Sequence, residues 1–148
     1  MVIRAALVLF ITLLTATEAA FAVEYVSVAD GPAIFYDAPS LKAKKIFVAS
    51  RYLPLEQVVV LDNWVKVRDS SGSLAWVEKH ALSNKRFVVV ASALGAIHQA
   101  PDENAAVILQ VRQQVALEWL ENTGAGWVKV RHQDGATGYV KITDIWGG

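Results

Sequence analysis

Three histidines, His80, His98 and His132, are the first residues to examine for chemistry. An imidazole can act as a general base or a metal ligand near neutral pH. A metal needs partners at ligand spacing, and neither an H-E-x-x-H word nor a Cys-containing zinc pattern occurs. The chain has no Cys at all, which removes thiol nucleophiles and thiolate metal sites. Ser50, Ser70, Ser71, Ser73 and Ser83 fall in loop-like stretches, and none stands in a G-x-S-x-G elbow. Gly124-Ala125-Gly126 lacks the Lys-Ser/Thr of a phosphate loop and precedes a strand pattern rather than a helix, so it reads as a turn. Asp and Glu are scattered without a motif, which leaves only a two-carboxylate site open. The expectation is therefore no catalytic residue, no metal and no cofactor, with the histidines solvated or structural.

Binding needs different residues: large, flat side chains with a polar tip. The candidates for a groove are Tyr36, Tyr52, Trp64 and Trp127. Aromatic rings of this kind line the shallow grooves that accept extended peptides. Trp64 and Trp127 open two copies of one word, WVKVR, at 64–68 and 127–131. Their duplication favours packing, because one buried Trp is a large share of a small core. Tyr36 and Tyr52 have no such twin: His98 and Gln114 stand at the corresponding places. A working groove is therefore expected in the first half of the chain.

The repeated word belongs to a longer duplication. At an offset of 62, Tyr25-Val26-Ser27-Val28-Ala29 meets Phe87-Val88-Val89-Val90-Ala91, Ala38-Pro39 meets Ala100-Pro101, and Leu55-Glu56 meets Leu117-Glu118. One extra residue near Asn122-Thr123-Gly124 moves the offset to 63, where the WVKVR words coincide and Gly72 meets Gly135. The identities fall mostly at apolar, Pro and Gly positions, where structure is decided. Two copies are too few for a solenoid. The reading is two small tandem domains, 23–83 and 87–148, with the boundary in Ser83-Asn84-Lys85-Arg86. So short a linker leaves the domains packed on each other.

Within a copy the period is two. Val65 and Val67 share one face of a strand, and Trp64, Lys66 and Arg68 share the other. Asp69–Gly72 and Gln133-Asp134-Gly135 are hairpin turns, and Leu61-Asp62-Asn63 is another. No stretch after residue 22 shows a convincing amphipathic helix. Short strands at this spacing predict an all-β fold of two small barrels. Trp119 and Trp146, unique to the second copy, are expected to line the interface or cover its end.

The order of these features resembles the bacterial SH3-like (SH3b) domain in its envelope-protein form. The resemblance rests on Pro39, Trp64 with Val67, Gly72, Trp76-Val77 and Leu82, and on Pro101, Trp127 with Val130, Gly135, Tyr139-Val140 and Ile145 in the second copy. It covers nearly the whole chain after residue 22. Ala75 departs from the Gly that the pattern places there; Gly138 keeps it. The resemblance implies two tandem SH3-like β-barrels. It also implies an association with the bacterial envelope, where some such domains bind peptidoglycan peptides.

The first residues read as a separate element. Arg4 precedes an apolar run, Ala5–Leu14, and Ala20-Phe21-Ala22 places small residues where a signal peptidase reads. A signal peptide over 1–22 is expected, cleaved after Ala22. The apolar run is too short to span a membrane, and no Cys follows it to carry a lipid, so no stable membrane anchor is expected after cleavage. Lys and Arg balance Asp and Glu at 14 each, which gives nucleic acid no electrostatic footprint. The expected function is an exported, periplasmic or secreted, non-catalytic module that binds an envelope peptide or protein, with peptidoglycan stem peptide as one such ligand. The rival is a structural adaptor in an envelope complex, and a third reading is a cell-wall enzyme whose site carries no recognised motif.

Overall fold

In both WVKVR words the alternation becomes burial. Val65 and Val67 are 1 % exposed, and Val128 and Val130 are fully buried. Each such side chain contributes about 1.5–3 kcal/mol relative to exposure, so the pattern fixes which face of the strand turns inward. The computed structural model describes residues 22–148; the expected leader and its cleavage lie outside the described residues. The first unit runs β1 (Glu24–Val28), β2 (Ala33–Tyr36), β3 (Lys45–Ala49), β4 (Pro54–Leu61), β5 (Trp64–Arg68), β6 (Leu74–Glu78) and β7 (Leu82–Ser83). The second runs β8 (Phe87–Val90), β9 (Leu94–His98), β10 (Val107–Arg112), β11 (Ala116–Asn122), β12 (Trp127–Arg131), β13 (Thr137–Lys141) and β14 (Ile145–Trp146). A single 3₁₀ turn precedes the last strand of each unit, Lys79–Ala81 and Ile142–Asp144.

The strands form two antiparallel sheets with one order, β3-β2-β6-β5-β4-β1-β7 and β10-β9-β13-β12-β11-β8-β14. Even the irregularities are copied. The β4–β5 pairing shifts register between Gln57 and Val59, and the β11–β12 pairing shifts between Trp119 and Glu121. Val60 pairs with Val65, whereas Asn122 pairs with Val128. The extra residue of the second unit therefore sits in the turn between those pairs, where an insertion leaves the ladder intact. Gly72 and Gly135 hold left-handed turns at φ 87° and 93°, a conformation that costs Gly nothing. Each unit has its own core: Phe35, Leu55 and Val77 anchor the first, and Ile97, Leu117 and Val140 the second. Among the described residues no helix is long and apolar enough to cross a membrane.

The linker ties the units together. The Ser27 hydroxyl, buried in β1, donates to the Lys85 carbonyl at 2.7 Å. The Arg86 guanidinium lies 4.9 Å from the Trp119 ring of the second unit and 5.7 Å from the Tyr25 ring of the first. Tyr25 meets Trp146 edge to face at 5.4 Å. Trp119 and Trp146 thus take up the interface positions expected of them. At the place equivalent to Arg86 and Trp119, the first unit has Glu24 and Gln57, joined by a hydrogen bond of 2.9 Å. The same cross-strand position serves as an exposed polar pair in one copy and as a clasp in the other.

Candidate functional site

Tyr36 closes β2 and pairs with Trp76 in the ladder. It is 3 % exposed, and its ring meets Trp64 edge to face at 5.3 Å. His98 and Trp127 repeat that contact at 5.1 Å in the second unit. The His98 Nδ1 lies 3.0 Å from the Ala105 carbonyl, so the ring is hydrogen-bonded as well as packed. The apparent difference between Tyr36 and His98 is therefore one packing pair written with two residue types. Trp64 is half-buried and Trp127 is 8 % exposed. These rings cover the cores, and burial takes Tyr36 out of a groove surface.

Tyr52 and Gln114 are different. Both stand in left-handed backbone, φ 69° and 68°, which a side chain with a Cβ adopts only when its surroundings impose it. The surroundings are the same in each unit. The Tyr52 N–H donates to the Val28 carbonyl at 2.9 Å, and the Gln114 N–H to the Val90 carbonyl at 2.8 Å. This geometry turns each side chain toward the other unit. The Tyr52 ring stacks on Phe87 at 4.6 Å and 8°. The Ser70 hydroxyl donates to Gln114 Oε1 at 3.3 Å. The two positions where the copies disagree in this loop thus meet at one seam.

The seam opens into a cleft of about 550 Å³ between the units. Tyr52 and Phe87 form part of its wall; Gln114 and the turn at His132–Gly135 form another part. A smaller recess of about 140 Å³ shares Tyr52, Lys85 and Phe87 with this cleft and is lined also by Asp30. The Tyr52 hydroxyl donates to Asp30 Oδ1 at 2.5 Å. That bond favours the neutral phenol and pushes its pKa above the ordinary value of 10.0.

Charge in the cleft is unequal. Glu118 takes Lys85 Nζ at 3.3 Å and Arg131 Nη1 at 3.2 Å. The Arg131 pair copies Arg68–Glu56 of the first unit, at 2.9 Å. Arg51 also borders the cleft and has no ion-pair partner among the described residues. Three cations therefore line the cleft against one carboxylate, which pairs with two of them. At the rim, His132 Nδ1 lies 2.9 Å from Asp134 Oδ1. The Ala136 N–H and then His132 hold the Asp134 carboxyl below the usual range. Among the described residues no group of three or more His, Cys, Asp or Glu gathers as for a metal.

The family model for the bacterial SH3 domain matches twice, over residues 29–84 and 91–147. The chain belongs to the bacterial SH3 domain family. Each match takes in six of the seven strands of one sheet, all but β1 and β8, so the tandem SH3 architecture and the fold expected from the repeat hold. Among solved structures, NlpC2 of Trichomonas vaginalis is 12 % identical over 84 % of this chain and 48 % of its own, with a TM-score of 0.39. NlpC1 of the same organism is 13 % identical over 93 % and 50 %, also at 0.39. An NlpC/P60 family protein from Bacillus cereus is 16 % identical over 82 % and 55 %, at 0.37. The chain spans about half the length of these structures. No curated protein matches it.

The four rings singled out in the sequence do not make one groove. Tyr36 and Trp64 come together in SH3 unit 1 and Trp127 lies in unit 2, while Tyr52 alone borders the cleft. Sequence reasoning missed Arg51, Lys85, Phe87, Glu118 and Arg131. The signal that points to the seam is the set of positions where the copies differ most in character: Glu24 against Arg86, Gln57 against Trp119, Tyr52 against Gln114.

Proposed function

We propose that this tandem SH3 protein is an exported, non-catalytic binding module that takes an extended peptide of the cell envelope in the cleft between its units. Peptidoglycan stem peptide is the ligand class we favour. The observation that carries this reading is the cleft itself: open, of peptide-accepting size, walled by stacked rings and bordered by unequal charge. Grooves for extended peptides combine aromatic walls with a few polar anchors. The export step rests on the leader pattern at 1–22. The test is retention on purified peptidoglycan: the protein sediments with the polymer, and Tyr52→Ala reduces its retention while leaving it folded. If the wild-type protein stays in the supernatant, wall binding is wrong and the adaptor reading, supported by the fixed docking of the two units through Arg86, takes its place. Fractionation of cells, with N-terminal sequencing of the product, tests export; an N-terminus at Val23 is the expected result.

A further inference from the structure

The charge distribution around the cleft goes one step further than peptide binding, and rests on it. Glu118 sits between Lys85 and Arg131, and its carboxylate balances one of the two. Such pairs at half-exposed positions are weak, so Lys85 and Arg131 remain available to another carboxylate. Their side chains are 56 % and 47 % exposed. On the opposite unit Arg51 is exposed, lies 5.2 Å from the Tyr52 ring, and has no carboxylate partner among the described residues. The cations stand on two walls: Arg51 on unit 1, and Arg131 with the linker Lys85 on the side of unit 2. Between them lies the Tyr52–Phe87 stack, with Arg51 over the Tyr52 ring and Lys85 over the Phe87 ring, so the stack holds the two cations apart on either side of it. The wall groups that oppose an anion are the Glu118 carboxylate and, at the rim, Asp134.

We propose that the seam cleft selects peptides carrying two carboxylates, one held by Arg51 and the other by Arg131 with Lys85. Guanidinium groups suit this because their fork of donors matches a carboxylate in two-bond geometry. The surplus is net charge +2 from Arg51, Lys85 and Arg131 against Glu118, which two carboxylates neutralise. A peptide with one carboxylate leaves one wall unpaired, and a neutral peptide leaves both.

The experiment is an NMR titration of the purified protein with four probes. These are N-acetyl-Ala-Glu-Ala with a free C-terminus, its C-terminal amide, N-acetyl-Ala-Gln-Ala with a free C-terminus, and the amide of the last. The expected order of affinity is two carboxylates, then one, then none, with roughly two- to fivefold between steps for carboxylate–cation pairs at a half-exposed site. The shifted amides should cluster at Tyr52, Gln114 and Gly135. Arg51→Gln, at an exposed position, should weaken the dicarboxylate by the same factor and leave the neutral peptide unchanged. Equal binding of all four probes overturns the charge selection and keeps the peptide reading. Charge-ordered binding with shifts away from the cleft overturns the site. Binding of none of the probes overturns the dicarboxylate inference, while retention on peptidoglycan then decides the peptide reading by itself.

Discussion

Replacing Arg86 with Ala should loosen the seam without touching either core. The guanidinium contacts two rings on different units, Trp119 at 4.9 Å and Tyr25 at 5.7 Å. A cation–π contact is worth about 0.5–2 kcal/mol, depending on how dry it is. The hydrogen bond from Arg86 Nη2 to the Gly147 carbonyl is long, 3.4 Å, and adds little. Against these gains, Arg86 Nε is buried with no hydrogen-bond partner among the described residues; removing it relieves about 1 kcal/mol of desolvation. The net loss is about 1–2 kcal/mol of docking energy, or roughly five- to thirtyfold in the docked-to-undocked ratio. Each unit keeps its own core, so the variant should still fold. Urea unfolding followed in parallel by tryptophan fluorescence and far-ultraviolet circular dichroism gives the readout. The wild-type curves should coincide, because docking couples the units. In Arg86→Ala the curves should separate, with a smaller slope for each step, since each step exposes less surface. Arg86→Met is the control: it keeps the apolar stem and loses the charge, so it should fall between. Coincident curves with an unchanged midpoint in Arg86→Ala would refute the assignment of Arg86 as a clasp.

Other outcomes follow from particular contacts. Gly138→Ala places a Cβ 2.5 Å from Ile97 Cγ2 and 2.6 Å from the His98 carbonyl oxygen, which the β9–β13 pairing holds in place. Overpacking of this kind costs about 1–3 kcal/mol, so denaturant unfolding of the second unit should shift by that amount; at the equivalent position the first unit already has Ala75, 5 % exposed. Ser27→Ala removes the 2.7 Å bond to the Lys85 carbonyl and should cost about 1 kcal/mol in the same assay. The Tyr52 phenol should ionise above 10.0 in a spectrophotometric titration, and Asp30→Asn should bring it down. Because its pKa is raised by folding, the Tyr52–Asp30 contribution to stability is fully present below the unfolded value and fades as the pH climbs through the folded one. Stability that rises in that interval would contradict the assignment.

The duplication made most of the fold legible. Val65 and Val67 alternate against Trp64, Lys66 and Arg68, and that period of two needs no knowledge of the rest of the chain. The extra residue near Asn122 could be placed in a turn because the offset changes there and nowhere else. The site was less legible, for a physical reason. Tyr36 and His98 looked like a functional divergence, yet both simply pack against a Trp. Residue types that differ can fill one steric role, and sequence does not record the neighbour. Tyr52 was singled out with some reason, but its stack on Phe87 joins different units, and contacts of that kind carry no periodicity. Arg51, Lys85 and Arg131 read as solvated charge until the docking brings them around one cleft.

The meeting of Tyr25 with Trp146 has a kinetic consequence. One ring belongs to the first strand of the described chain and the other to the last. Each unit can nucleate from its own short hairpins, but this contact closes a loop over nearly all the described residues and must wait for them. Once both units have folded, only residues 84–86 separate β7 from β8, so the contact forms as the two joined units dock, after the local steps. During synthesis the first unit therefore exists for a time with Tyr25 not yet covered by Trp146. A chain interrupted before residue 146 would keep Arg86 with Tyr25 and Trp119 but lose both the Tyr25–Trp146 contact and the pairing of Trp146 with Val89.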